Sequence, residues 1–195
     1  ADAVVHTANW TGVVTSETTI EYVDAVNVRA TARIGALAAR CGVGQFVFLS
    51  SIKAMGNRTD KQPFKVSTPP EPKDLYGRSK LQAERALLET EGLVVSIIRP
   101  PLLYGPGVTG SVLKLFQLAE RGVPLPLRSV KNARDLLAIQ SLADLVAHCI
   151  ERPSASSRIL LARDGQAISS AGLFRSVAAS MGREARLFPF SPTAL

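Results

Sequence analysis

Tyr76 and Lys80 stand four residues apart in DLYGRSKLQAE, a spacing that puts both side chains on one face of a helix. A lysine ammonium beside a phenol favours the phenolate, so the pair predicts a Tyr76 of lowered pKa, usable as a general acid/base near neutral pH. Alone, the pair fits an ordinary surface helix equally well. Its neighbours make it chemical. The apolar run QFVFL (45–49) leads straight into Ser50 and Ser51, which sets two hydroxyls at the carboxyl end of a buried strand, where open α/β sheets bind their ligands. A second run, LVVSII (93–98), leads into Arg99-Pro100-Pro101-Leu102-Leu103-Tyr104-Gly105-Pro106-Gly107.

The elements that must position these residues alternate along the chain. Strand patterns cover 4–6, 45–49, 93–98, 136–139, 158–161 and 186–188; helical patterns cover 21–41, 75–89, 111–120, 142–151 and 170–181. In the helix at 21–41 the core positions are Val23, Val26, Ile34, Leu37 and Ala38, and Gly42 supplies the stop. Residues 57–73 are polar and proline-rich and read as a long loop. Strand and helix in alternation predict a parallel α/β sheet flanked by helices. The segment after Gly105 is more irregular. It suits a small substrate-binding α/β part: 1–105 carry the parallel sheet, and 106–195 form a mixed region that is not a cleanly separable domain.

Composition narrows the classes. Of 195 residues 46% are hydrophobic and 20% charged, enough apolar material for a substantial core and too much for intrinsic disorder. No apolar run approaches the roughly 20 residues of a membrane helix. Cys41 and Cys149 cannot build a disulfide framework and read as reduced thiols of the cytoplasm. The net charge is +7, with 11 Lys/Arg against 6 Asp/Glu after residue 100. That excess suits an anionic partner, which charge alone does not identify, or simply general solubility. Nucleic acid is excluded for want of a basic stripe interleaved with aromatics.

VVHTAN (4–9), NVRATARIGALAARCGVGQFVFLSSIKAMG (27–56), YGRSK (76–80) and RPPLLYGPG (99–107), in this order, resemble the extended short-chain dehydrogenase/reductase superfamily. The likeness is to its nucleotide-sugar epimerases, dehydratases and 4-ketoreductases, with UDP-glucose 4-epimerase as the type member. It implies a Rossmann-like fold, a bound NAD or NADP with NAD favoured, a nucleotide-sugar substrate and no metal. It implies that Tyr76 exchanges a proton with the sugar hydroxyl, that Lys80 binds the nicotinamide ribose, and that Ser51 hydrogen-bonds the reacting oxygen. Thr7, Ala8, Asn9, Asn27, Ser50 and Pro101 then fall along the cofactor. Arg134 falls where the family grips a diphosphate, a task suited to its planar fork. Leu102 falls beside the sugar, and Lys53, two residues past Ser51, stands near enough in sequence to reach it. Lys131 and Arg128 stand near enough in sequence to Arg134 to add charge, and His6 reads as hydrogen-bonded scaffold. A homodimer through the helices at 21–41 and 74–91 is a further implication.

Departures from the family pattern sharpen these expectations. The glycine-rich phosphate turn is absent, and with it the residue that chooses NAD over NADP. Ala1 already matches the family's fourth strand, so the chain is expected to derive from a longer polypeptide and, by itself, to bind NAD(P) poorly and show no turnover. Leu102 and Ser111 stand where the epimerases often carry Asn, which favours a 4-keto-sugar reductase or a related branch over an authentic UDP-glucose epimerase. The alternative is a non-catalytic NAD(P)-binding sensor on the same fold; the complete Ser51, Tyr76 and Lys80 set argues against it.

Overall fold

The computed structural model describes residues 1–12, 19–59 and 62–190. The chain divides into two compact units, Ala1–Pro101 with Leu142–Ala162, and Leu102–Ser141 with Arg163–Leu195. This differs from the division at 105/106 because β6 (Arg158–Leu161) returns to pair with β3 (Val95–Arg99).

In the first unit four parallel strands run in the order β1-β2-β3-β6, with β1 at Ala3–His6 and β2 at Gln45–Leu49. The middle strands carry the apolar runs. Phe46, Val47, Phe48, Val95, Ile97 and Ile98 are all fully buried, as expected of strands covered on both faces. Polar residues pin the opposite, amino-terminal ends of the sheet. The Ser96 hydroxyl accepts from Gln45 Nε2 and Arg158 Nε, each at 3.0 Å, linking β2, β3 and β6.

Helices α1 (Ile20–Val23) and α2 (Ala30–Arg40) are continuous through a π-helical segment, Asp24–Arg29. Its inward stripe is Val23, Asn27, Thr31, Gly35 and Ala38, not the wholly apolar set the periodicity suggested. Leu37 is 51% exposed. The polar members face inward because they have partners there. Thr31 Oγ1 donates to the Asn27 carbonyl at 2.8 Å, and His6 Nε2 lies 2.9 Å from the same hydroxyl. With the threonine proton committed, His6 is the donor, in its neutral Nε2–H form. Burial, then the Lys80 charge, holds its pKa below the ordinary value. Helix α3 (Leu75–Leu88) packs beside this pair of helices, and Ala83 and Leu87 join Ala38, Phe46 and Val95 in the core. Residues 57–73, apart from 60 and 61, which lie outside the described residues, contain no helix or strand.

The second unit contains a two-stranded parallel sheet of β4 (Leu102–Tyr104) and β5 (Leu136–Ala138), with α4 (Gly110–Glu120) and α6 (Ser170–Ser180). Helix α5 (Ile139–Glu151) begins in it. Its core joins Ala119, Leu173, Phe174, Val177 and Leu187. The sequence reading passed over β4: Pro100-Pro101 ends one strand, and the extended chain resumes at once in another sheet. The strand expected at 186–188 is a single bridge from Leu187 to Leu125. Pro124 and Pro126 flank Leu125 and have no N–H to extend the ladder. No helix among the described residues is long and apolar enough to cross a membrane.

Candidate active site

The carboxyl end of β2 turns into a short 3₁₀ segment, Ile52–Ala54, capped by Ser51, whose Oγ accepts from Lys53 N at 3.2 Å. The Ile52 amide donates to the Pro100 carbonyl at 2.9 Å, which fastens this turn to the end of β3. Asp74 caps α3, its Oδ1 accepting from Gly77 N at 2.7 Å. Its Oδ2 accepts from Lys53 Nζ at 2.8 Å. Partial burial pushes the Asp74 carboxyl up, but the bonds from Lys53 and Gly77, the Lys53 charge and a bond from Asn57 bring it below its ordinary value. Lys53, expected to reach the sugar from two residues past Ser51, is thus engaged by the helix cap.

Tyr76 lies in the first turn of α3, half-buried, with the Ser51 side chain near enough to its phenol to pull the pKa down. Lys80, one turn on, is 1% exposed. Its Nζ donates to the Leu49 carbonyl at 2.6 Å and sits 4.1 Å from the centre of the Phe48 ring. The structure therefore brings Ser51, Tyr76 and Lys80 together at the carboxyl end of β2. The electrostatics differ from the expectation. Burial raises the Tyr76 pKa, Ser51 lowers it, the Asp74 charge raises it, and the net direction is up. Lys80, whose Nζ meets the Leu49 carbonyl, does not depress it. Burial also lowers Lys80 itself to about 8, against the opposing pull of the Glu84 carboxylate.

Of the residues assigned to the cofactor, Thr7 and Ala8 are exposed past the end of β1 and Asn9 is half-buried. Asn9 Nδ2 donates to the Thr7 carbonyl at 2.9 Å, while its Oδ1 is enclosed without a donor. An open acceptor and exposed backbone at this end of the sheet fit the polar flank of a nucleotide. Pro101 is half-buried just past β3. Asn27 has another task. It is 1% exposed; its Oδ1 accepts from Trp10 N at 2.6 Å, and its Nδ2 donates to the Trp10 carbonyl at 3.1 Å and to Ser79 Oγ at 2.9 Å. Ser79 Oγ donates in turn to the Tyr76 carbonyl at 2.8 Å. Asn27 thus fastens the 7–12 segment to the turn of α3 that carries Tyr76. Ser50 is buried, and its hydroxyl donates to Glu84. In the second unit Leu102 lies half-buried on β4; Arg134 is exposed and bridges to Ile168 through its backbone. Lys131, Arg128 and Ser111 are exposed there as well.

Sequence reasoning missed Gly77. A Cβ there would lie 2.4 Å from the Lys53 carbonyl oxygen and 3.2 Å from Pro72 Cβ. The missing side chain is what lets α3 approach the 52–54 turn and hold Tyr76 against Ser51. The signal was present: a glycine inside a helix costs about 1 kcal/mol against alanine, so one placed there usually has a packing reason.

A parallel α/β sheet with a serine past one strand and a Tyr-x-x-x-Lys pair on the helix beside it defines a chain of the short-chain dehydrogenase/reductase kind. Residues 1–161 match the NAD dependent epimerase/dehydratase family, and the chain belongs to that family. It is 38% identical over 163 residues to a UDP-glucose 4-epimerase of Vibrio cholerae, a match covering 81% of this chain and 50% of that protein. Among solved structures it is similar to MoeE5 in complex with UDP-glucose and NAD, at 25% identity and a TM-score of 0.81, covering 97% of this chain and 66% of that one. The fold is shared also with RMD from Pseudomonas aeruginosa complexed with NADPH, at 22% identity and a TM-score of 0.82, covering 96% and 69%. The chain spans about half the length of the curated relative.

Two measurements test the site. Gly77→Ala should destabilise the protein by about 1–3 kcal/mol in urea unfolding, despite the helix propensity gained, because the added methyl meets backbone. An unchanged or raised midpoint would contradict the close approach. Lys80 has a proton affinity lower folded than unfolded. The unfolded chain therefore binds more protons between about pH 8 and its ordinary 10.5, and stability from this group rises with pH through that window. Below it the cost of the buried charge is present in full. The stability of the wild type relative to Lys80→Met should accordingly increase from pH 7.5 to about 10; a flat difference would show that Lys80 titrates normally.

Proposed function

We propose that the protein is an NAD(P)-dependent enzyme acting on a nucleotide sugar of the UDP-hexose kind, as a 4-epimerase or a 4-keto-reductase. The observation that carries this reading is the meeting of Ser51 and Tyr76 past the end of β2, with Lys80 one turn along the same helix. The Vibrio cholerae UDP-glucose 4-epimerase and the UDP-glucose and NAD complex of MoeE5 support the substrate and cofactor classes, with NAD favoured over NADP.

In this reading Thr7, Ala8, Asn9, Ser50, Pro101, Tyr76 and Lys80 hold the cofactor, which when bound supplies and accepts a hydride. Ser51 donates a hydrogen bond to the sugar oxygen and orients it toward Tyr76. In reduction, the Tyr76 O–H gives its proton to the carbonyl oxygen as hydride arrives at carbon. In oxidation, the tyrosinate takes the hydroxyl proton as hydride leaves. A phenol held above its ordinary pKa stays protonated across the neutral range, which suits the donor role and the reductive direction. Lys53, Leu102 and Arg134 complete the proposal on the substrate side, with Arg134 gripping the diphosphate.

A homodimer through α1, α2 and α3 belongs to the same reading. Ile20 and Tyr22 at the start of that helical layer, Leu37 on α2 and Leu88 at the end of α3 are exposed. We place the enzyme in the cytoplasm, consistent with its free Cys41 and Cys149.

Tyr76→Phe in the full-length protein should lower turnover of a UDP-hexose by about 10²-fold or more while cofactor affinity, followed by titration calorimetry, stays within about threefold. Wild-type turnover in that variant would remove Tyr76 from the chemistry.

A further inference from the structure

The first unit buries a complete ion pair that the chemistry above does not use. Glu84, one turn beyond Lys80 on α3, is 1% exposed, and Arg99, the last residue of β3, is 3% exposed. Arg99 Nε donates to Glu84 Oε1 at 2.9 Å and Nη2 to Oε2 at 2.5 Å, a two-pronged arrangement that fixes direction as well as distance. Ser50 Oγ donates to Glu84 Oε1, and Arg99 Nη1 points at Met55 Sδ. One carboxylate thus ties α3 to the carboxyl ends of both β2 and β3.

Such a pair is a weak reason for stability. Desolvating both ions costs about as much as their attraction returns, and apolar replacements of similar volume are often neutral or better. What an apolar pair lacks is direction: it fills the space yet tolerates a helix that slides or turns by a fraction of a residue. Here direction matters, because three consecutive residues at the end of β2 each meet one residue of α3. The Leu49 carbonyl takes Lys80, Ser50 takes Glu84, and Ser51 takes Tyr76. Residues 76, 80 and 84 follow at intervals of four and lie on one helix face. Of the three contacts, only that of Glu84 is also held from β3.

We propose that Glu84, clamped by Arg99 and Ser50, is a positioning residue that sets the rotation and height of α3, keeping Tyr76 on Ser51 and Lys80 on Leu49. The inference rests on reading Ser51, Tyr76 and Lys80 as the catalytic set. Glu84 itself reaches no reacting atom; its effect passes through the helix. Misplacement of a catalytic group by about 1 Å is enough to cost up to 10²-fold in rate without loss of binding.

The test compares Arg99→Lys, which keeps the charge and loses the fork, with the double variant Glu84→Leu/Arg99→Met, which removes both charges and preserves volume. Both are made in the full-length protein and assayed below their melting temperatures. Turnover of a UDP-hexose should fall about tenfold or more in each, with KM for sugar and cofactor within about threefold of wild type. A folded double variant with wild-type kcat would overturn the proposal and leave the pair as packing alone; this arm decides the matter if Arg99→Lys does not fold. Should the wild type itself turn over no UDP-hexose, the reading of the site falls, and the positioning role is decided without activity. The ¹³Cζ resonance of Tyr76, assigned through Tyr76→Phe, should then move in the double variant. A resonance coincident with wild type would overturn the proposal.

Discussion

The structure depends on one contact: the face of α3 carrying Tyr76, Lys80 and Glu84, laid against the end of β2 at Leu49, Ser50 and Ser51. Lys80, Glu84 and Ser50 are withdrawn from water, where an unmade hydrogen bond costs about 1–3 kcal/mol. Slippage of the helix would break all their contacts together. A helix rotated by one residue would aim Leu81, now packed inside, where Lys80 meets the Leu49 carbonyl. Register between helix and strand end is therefore set by polar groups, and the apolar core beneath supplies the pressure that holds them there.

The rest of the first unit serves that contact. Asp74 caps the helix and holds Lys53, which fixes where α3 starts relative to the 52–54 turn. Gly77 removes the one side chain that would keep the two backbones apart. The π-helical segment turns Asn27 inward, where it clasps both backbone groups of Trp10 and reaches Ser79. Single-turn π insertions are frequent at functional sites, and here the insertion places a side chain that links the chain after β1 to the helix of Tyr76. Burial has an electrostatic consequence. Lys80 is held near pH 8 and Tyr76 above its ordinary value, so both groups are displaced toward their neutral forms.

Much of this was legible in the sequence, and for physical reasons. QFVFL and RILL are apolar runs of strand length, and β2 and β6 occupy the predicted residues. The four-residue spacing of Tyr76 and Lys80 placed both on one helix face, and the serine after a buried strand placed the third group. Less legible were quantities set by what surrounds a side chain in space. The phenol was expected to be lowered by Lys80; burial, which disfavours the charged tyrosinate, raises it instead. Leu37 fitted the helical period and yet faces outward, since Asn27 and Thr31 have partners inside for which hydrophobicity gives no signal. β4 hid behind a proline pair that reads as an ending and is also a hand-over between sheets. Asp74 and Gly77 carried readable signals, a cap and a glycine within a helix, whose meaning appears only with the Lys53 carbonyl opposite.

The most direct measurement is the titration of the Tyr76 phenol, followed through its ¹³Cζ resonance in the wild type and in Ser51→Ala. The account predicts a midpoint above the ordinary value of 10.0 in the wild type, because burial outweighs the pull of Ser51. It predicts a further rise in Ser51→Ala, because that side chain favours the tyrosinate. A wild-type midpoint at or below the ordinary value, or one that Ser51→Ala leaves in place, would contradict the buried Ser51–Tyr76 approach on which the site is built.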